Sequence, residues 1–149
     1  MKLKYLLRSL ILINLLFITM ANATKYNYLD KGKAHYEKME FEKSKFLFEK
    51  DIVFNPKNEN SYLYLAKIFN KKENDAEEEM NLNSVLLLNP QNDEAIYMLA
   101  LLKIKQSNYD EAKKLIEQFD LVCKSFCFKK KEMIKKFNKI IPENEKDKN

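Results

Sequence analysis

Across 149 residues the chain has one glycine, Gly32, and three prolines, Pro56, Pro90 and Pro142. With so few interruptions, long stretches have nothing to break a helix, and no glycine-rich loop exists to cradle a phosphate. Histidine is nearly missing too. His35 stands alone, so imidazole acid–base chemistry has a single candidate and a zinc site lacks ligands. Arginine occurs once, at Arg8. Bidentate reading of guanine or phosphate leans on arginine, and its scarcity removes nucleic acid from the expected partners. No serine or cysteine has a visible base beside it. Glu77, Glu78 and Glu79 are consecutive, so they point round a helix and do not converge on a substrate. The chain reads as non-enzymatic, with no cofactor and no metal.

What is present begins with a leader. Lys2, Lys4 and Arg8 precede an apolar run from Ser9 to Met20, and Ala21-Asn22-Ala23 follows it. A basic start, a short apolar core and a small-x-small end describe a secretory signal peptide over residues 1–23, cut after about Ala23. It implies secretion across the inner membrane to a periplasmic address. An uncleaved anchor is the rival reading, but the run is shorter than the roughly 20 residues that span about 30 Å of hydrocarbon, and Asn14 interrupts it. The charge argument changes with cleavage. The full chain carries 27 basic and 22 acidic side chains, net +5, and losing three cations with the leader leaves 24 against 22, or +2. A nearly neutral mature protein again fits poorly with nucleic-acid binding.

The remainder reads as all-α, with helices over about 24–38, 41–54, 60–71, 75–88, 93–106, 110–122 and 125–140. Asn55-Pro56 and Asn89-Pro90 lie 34 residues apart and each follows a helix end, because a residue before proline is pushed out of the helical region. At this period Gly32, Ala66 and Ala100 share one place, and Ser44, Glu78 and Ala112 a second. Phe48, Leu82 and Ile116 share a third, and Asp51, Val85 and Phe119 a fourth. Small residues recur where two helices cross, and large apolar ones recur along one stripe. Such self-similarity marks stacked helix-turn-helix units, none of which can bury its apolar face alone.

The residues that carry the pattern are Tyr28, Gly32, Phe41, Ser44, Phe48 and Pro56, then Tyr62, Leu65, Ala66, Leu82, Val85 and Pro90, then Ile96, Leu99, Ala100, Tyr109, Ala112 and Ile116. On them the chain resembles the tetratricopeptide repeat family. The resemblance implies a superhelical stack over residues 24–122, in units of about 25–58, 59–92 and 93–122. Asp51, Asp75, Glu78 and His35 depart from the family's preferred alanine or aromatic residues. Unit two's second helix is therefore expected to pack less tightly, and His35 to be a half-buried packing residue. The family's function implies an adaptor that binds a peptide or helix of a partner protein in its concave groove, here in the cell envelope. By the family's spacing that groove takes Tyr26, Leu29, Lys33 and Tyr36, then Asn60, Leu63, Lys67 and Asn70, then Glu94, Tyr97, Leu101 and Ile104. Tyr36, Tyr97, Leu101 and Ile104 would anchor the partner, and Lys33 and Lys67 would meet its acidic groups. The family's subset that grips a C-terminal carboxylate uses lysine, asparagine and arginine in this groove. Leu29, Tyr64, Glu94 and Met98 break that pattern. The alternative is a self-associating structural protein, a homodimer formed through Tyr26 and Tyr28 or along unit three, with a redox role for the cysteine pair third.

Residues 123–141 read as a capping helix and 142–149 as a disordered tail. Phe126, Met133, Phe137 and Ile140 form one stripe, expected to cover Leu115 and Phe119, with lysines from Lys124 to Lys139 turned to water. The rival reading lays those lysines weakly on an anionic membrane surface. Cys123 and Cys127 sit at the junction, and a structural disulfide pinning the cap, worth about 2 kcal/mol for so short a loop, is the expectation. A redox-active pair and two reduced thiols used as filler stay open.

Overall fold

The computed structural model describes residues 27–140. The leader, Tyr26 and the tail from Pro142 lie outside them. The described chain forms α1 (Tyr28–Glu37), α2 (Phe41–Phe54), α3 (Glu59–Lys71), α4 (Asp75–Leu88), α5 (Asp93–Lys105), α6 (Tyr109–Val122) and α7 (Lys130–Ile140), with one turn of 3-10 helix, Cys127–Lys129, before α7. No strand occurs among the described residues. The helices pair as α1–α2, α3–α4 and α5–α6. The second helix of each pair packs on the first of the next, and α7 closes the stack against α5 and α6.

Asparagine sets the helix starts. Asn27, Asn74, Asn92 and Asn108 each accept a hydrogen bond from the backbone N–H three residues on, satisfying a donor the helix itself leaves orphaned. Asn27 caps the first described helix at Tyr28, and the expected start at Thr24 lies outside the described residues. The three inner turns share one construction. Met39, Glu73 and Ser107, 34 residues apart, all sit at φ between 54° and 59°. In the first turn the Met39 N–H donates to the Tyr36 carbonyl and the Glu40 N–H to the His35 carbonyl, both at 2.9 Å, and the same pair recurs in the other two. This is a Schellman stop, usually given to glycine because a side chain is strained there.

Within each pair the crossing depends on matched sizes. A Cβ built on Gly32 would lie 2.6 to 3.0 Å from three ring atoms of Phe48, so only glycine lets that ring close over α1. Ser44 supports the same crossing by donating from Oγ to the Gly32 carbonyl at 2.9 Å. At the equivalent places Ala66 meets the smaller Leu82, both fully buried. Glu78 stands where the other units have Ser44 and Ala112, yet it is 2 % exposed and the α3–α4 pair packs as closely as its neighbours. The expected looseness of that pair is absent, because the Asn70 amide donates to both Glu78 oxygens at 3.0 and 3.1 Å.

The closing loops are held by carboxylates. Asp51 is buried and accepts from Asn55, Asn58 and Ser61 at 3.0, 2.6 and 2.6 Å, tying the end of α2 to the start of α3. Glu59 on α3 reaches forward 30 and 33 residues to the amides of Asn89 and Asn92. Asp93, 34 residues after Glu59, accepts three backbone N–H groups, from Lys124, Ser125 and Phe126, at 2.7, 2.6 and 2.8 Å. That third clasp keeps residues 124–126 out of helix, so α7 starts at Lys130 and not at the expected Ser125. Cys123 and Cys127 are joined by a disulfide across the clasped loop, with Cα atoms 5.2 Å apart.

Gly32→Ala is expected to destabilise the chain by up to about 2 kcal/mol in urea unfolding, since overpacking costs about 1–3 kcal/mol and helix propensity returns about 1. Adding Phe48→Leu should recover part of that loss, whereas Phe48→Leu alone should destabilise. Additive losses in the double-mutant cycle would show that the two side chains do not set the crossing.

Candidate functional site

The first helices of the three pairs present a concave side, and one groove of about 380 Å³ opens there. Tyr36 from α1, Lys67 and Asn70 from α3, and Tyr97 and Leu101 from α5 surround it, joined by Tyr64, Lys71, Glu78, Glu94 and Met98. Tyr64 is the residue that sequence reasoning undervalued. It meets Tyr36 edge to face at 5.2 Å and stacks on Phe48 at 5.0 Å, so it forms the wall between units one and two. Its ring also carries two ammonium groups, Lys67 at 4.8 Å and Lys33 at 5.6 Å. The signal was an aromatic two places after Tyr62, on the concave side of the helical wheel.

Charges line the groove in pairs. Lys67 meets Glu94 at 2.7 Å, so an incoming acidic group must compete with the chain's own carboxylate. Burial raises the phenols of Tyr36 and Tyr64 above the ordinary tyrosine value, with the Tyr64 ring and Glu94 adding to Tyr36, and Glu94 and Glu37 adding to Tyr64. Both stay neutral hydrogen-bonding groups at physiological pH.

Other expected groove residues are dispersed by the twist of the stack. Leu63, 5 % exposed, belongs to the main core and reaches only a second cleft, between Asn60 and the loop at Lys124. Leu29 packs against the Phe48 cluster and lines a separate cleft beside Pro56. Ile104 is nearly buried and faces Lys136 and Lys139 of α7. The reason is the position of α7. It rests on α5 as well as α6, with Met133 fully buried in the core beside Leu115 and Phe119. Phe126 lies 5.9 Å from the Tyr97 ring, and Tyr97 keeps only 7 % of its surface exposed. Tyr97 therefore anchors the cap, and the groove is open mainly over units one and two. His35, half-buried, pairs through Nδ1 with Glu40 across the first turn.

Paired helices repeating at 34 residues, with a small residue at each crossing and a concave side built from the first helices, decide the architecture. The fold is that of the tetratricopeptide repeat. The first tetratricopeptide domain of Spaghetti (RPAP3), solved with the HSP90 peptide SRMEEVD, is 17 % identical and superposes with a TM-score of 0.68 over 75 % of this chain and 88 % of that one. The second Spaghetti domain, also solved with that peptide, is 18 % identical, with a TM-score of 0.61 over 64 % of this chain and 89 % of that one. The tetratricopeptide domain of Sgt2 from Aspergillus fumigatus is 15 % identical, with a TM-score of 0.65 over 82 % and 80 %. No protein-family model and no curated protein matches the chain.

Two carboxyls of this tetratricopeptide stack are shifted in opposite directions. Burial raises Glu78 above the usual glutamate value, and the Asn70 amide offsets only part of the effect. Its charge therefore costs stability at neutral pH, a cost absent below the unfolded value near pH 4.5 and complete once pH exceeds the folded value. Burial would raise Asp93 too, but the N–H groups of Lys124, Phe126 and Ser125 outweigh it and hold the carboxyl low. Its contribution is present above the unfolded value near pH 3.8 and is lost as pH falls through the folded one. Glu78→Gln is expected to raise the melting midpoint at pH 7, with the gain vanishing toward pH 4. Asp93→Ala should cost on the order of 2 kcal/mol at pH 7, from charge-assisted hydrogen bonds, and progressively less below pH 4. Thermal melts of both variants from pH 3 to pH 8 check the two signs.

Proposed function

We propose that this chain is a non-enzymatic protein–protein interaction module of the cell envelope, which takes a short peptide or helix of a partner in the groove between Tyr36, Tyr64 and Lys67. The observation that carries the reading is the groove's composition. Two rigid aromatic rings, two ammonium groups over the Tyr64 ring and the Asn70 side chain, whose amide N–H is bonded to Glu78, converge on one opening, and Lys71 beside it makes no ion pair among the described residues. Aromatic rings ordered by packing bind at low entropic cost, and flanking polar groups fix register. The peptide-bound Spaghetti domains support such a use of the fold. The leader supports a periplasmic setting after cleavage near Ala23.

A homodimer with a structural role is the second reading, favoured by large apolar side chains left exposed on the second helices, among them Leu87 and Leu121. Weak contact of α7 with an anionic membrane surface is a further proposal, since Lys131, Lys135 and Lys139 have no ion-pair partner among the described residues. Light scattering on the exported protein separates monomer from dimer.

The groove is tested by placing a photo-crosslinking amino acid at Asn70 or Lys71 in the exported protein, with Glu73, outside the groove, as the control. Adducts with one partner from the groove positions and none from the control are expected. Tyr64→Ala should then weaken the captured partner at least tenfold, the size of a buried aromatic hot spot. Equal labelling from all three positions, or a partner indifferent to Tyr64→Ala, would remove the groove from the mechanism.

A further inference from the structure

Lys124, Ser125 and Phe126 separate Cys123 from Cys127, and this short segment is restrained twice. The disulfide closes it, with Cα atoms 5.2 Å apart, and Asp93 accepts the N–H of each of the three residues at 2.6 to 2.8 Å. A covalent bridge that alone held a loop would free it when cut. Here the carboxylate keeps the enclosed backbone in place, so the two sulfurs stay within reach of each other whether bonded or not. A loop of this size also gains least from a bridge, because closing it removes little freedom from the unfolded chain. The fold therefore does not need the bond, and such redundancy leaves the bond free to be exchanged.

The two sulfurs differ in their surroundings. Cys123 caps the end of α6, its N–H bonded to the Phe119 carbonyl at 2.8 Å, and packs half-buried against the core cluster that holds Phe119 and Met133. A thiolate there would meet the carbonyl end of a 14-residue helix, which disfavours negative charge. Cys127 is exposed, in the 3-10 turn before α7, and its neighbour Phe128 keeps 72 % of its surface open. The nearest charged residues along the chain are Lys124 on one side of it and Lys129, Lys130 and Lys131 on the other. Glu132 pairs with Lys129, Asp120 with Lys130, and Asp93 is taken up by the loop N–H groups. Lys124 and Lys131 have no ion pair among the described residues. An exposed sulfur flanked by lysines is the one that an incoming thiolate reaches, and the one that leaves again most readily as a thiolate.

We infer that Cys123 and Cys127 form a redox-active pair that exchanges its disulfide with the thiols of a partner protein, Cys127 as the exchanging sulfur and Cys123 as the resolving one. A thiolate of a partner dithiol attacks Cys127 Sγ, forming a mixed disulfide and expelling Cys123 as a thiolate, which takes up a proton. The partner's second thiolate then attacks its own sulfur in that mixed disulfide and releases Cys127 as a thiolate. Two electrons pass from the partner dithiol to the pair, and the partner leaves with a disulfide. In the reverse direction the Cys127 thiolate attacks a partner disulfide and Cys123 resolves the adduct. Asp93 is the positioning residue, since by holding the loop it keeps Cys123 beside Cys127 at each stage. This chemistry adds to the binding at the groove and does not depend on it.

The test uses the exported protein, oxidised or reduced with dithiothreitol, with circular dichroism to confirm that each variant is folded. Hydrogen exchange should find the amides of residues 124–126 still protected after reduction, and unprotected when Asp93→Ala is added. In mixtures of reduced and oxidised glutathione at millimolar concentration, wild type should pass from disulfide to dithiol, and the oxidised protein should hand its disulfide to a synthetic peptide with two cysteines. Asp93→Ala should move the glutathione midpoint at least tenfold toward the dithiol, and Asp93→Asn, which keeps one accepting oxygen, should restore part of that shift. In oxidised glutathione, Cys123→Ser should trap a mixed disulfide at Cys127 at least tenfold faster than Cys127→Ser traps one at Cys123. A pair that stays oxidised in excess reduced glutathione overturns the inference and leaves a structural bridge. So does a wild-type loop whose amides lose protection on reduction. Equal trapping by the two single variants overturns the assignment of roles, and an unmoved midpoint in Asp93→Ala removes Asp93 as the positioning residue.

Discussion

Each closing loop brings polar donors together where one helix pair hands over to the next, and the stack depends on satisfying them at the same place every 34 residues. A carboxylate does so in each loop: Asp51 for the side chains of Asn55, Asn58 and Ser61, Glu59 for the side-chain amides of Asn89 and Asn92, and Asp93 for the backbone N–H groups of Lys124, Ser125 and Phe126. The device shifts as the array proceeds. Asp51 acts from the end of the second helix onto the loop that follows it, whereas Glu59 and Asp93 act from the start of the first helix across their whole unit. Because a carboxylate accepts several bonds at once, one side chain fixes two or three donors and with them the angle at which the next pair departs.

Lys103 serves the same end from the opposite sign of charge. It is 5 % exposed, bonded to Glu79 of the preceding pair at 2.5 Å and to Glu111 of its own at 3.2 Å. Burial lowers its affinity for a proton, but the two glutamates outweigh that and hold it charged. A buried cation so placed specifies which surfaces meet, since any slip would strand it. Units two and three are thereby locked more specifically than apolar packing alone provides.

The architecture was legible in the chain because period and side-chain size act locally. Proline spacing, the recurrence of Gly32, Ala66 and Ala100, and the near absence of helix breakers each constrain backbone within a few turns. Interactions across 30 residues were not legible. Asp51 and Glu78 looked like mismatches at apolar positions, and only the fold shows that Asn58, Ser61 and Asn70 arrive to receive them. The start of α7 was misjudged for the same reason, since nothing in Lys124-Ser125-Phe126 announces that Asp93 will claim its N–H groups. Asparagine's helix-capping role was in plain view at Asn27, Asn74, Asn92 and Asn108, each standing one residue before a helix.

The groove depends on the cap for its limits. Were α7 to pack on α6 alone, Tyr97, Leu101 and Ile104 would extend the concave surface across all three units. Instead Met133 enters the core, Phe126 covers Tyr97, and Lys136 and Lys139 stand over Leu101 and Ile104. The clasp at Asp93 and the disulfide between Cys123 and Cys127 both hold the loop that delivers Phe126. Two independent restraints on so short a segment hold Phe126 against Tyr97, so the groove is open mainly over units one and two. On the proposed reading, specificity comes from what displaces Glu94 from Lys67 and what the Asn70 amide oxygen accepts, both within one turn of α3.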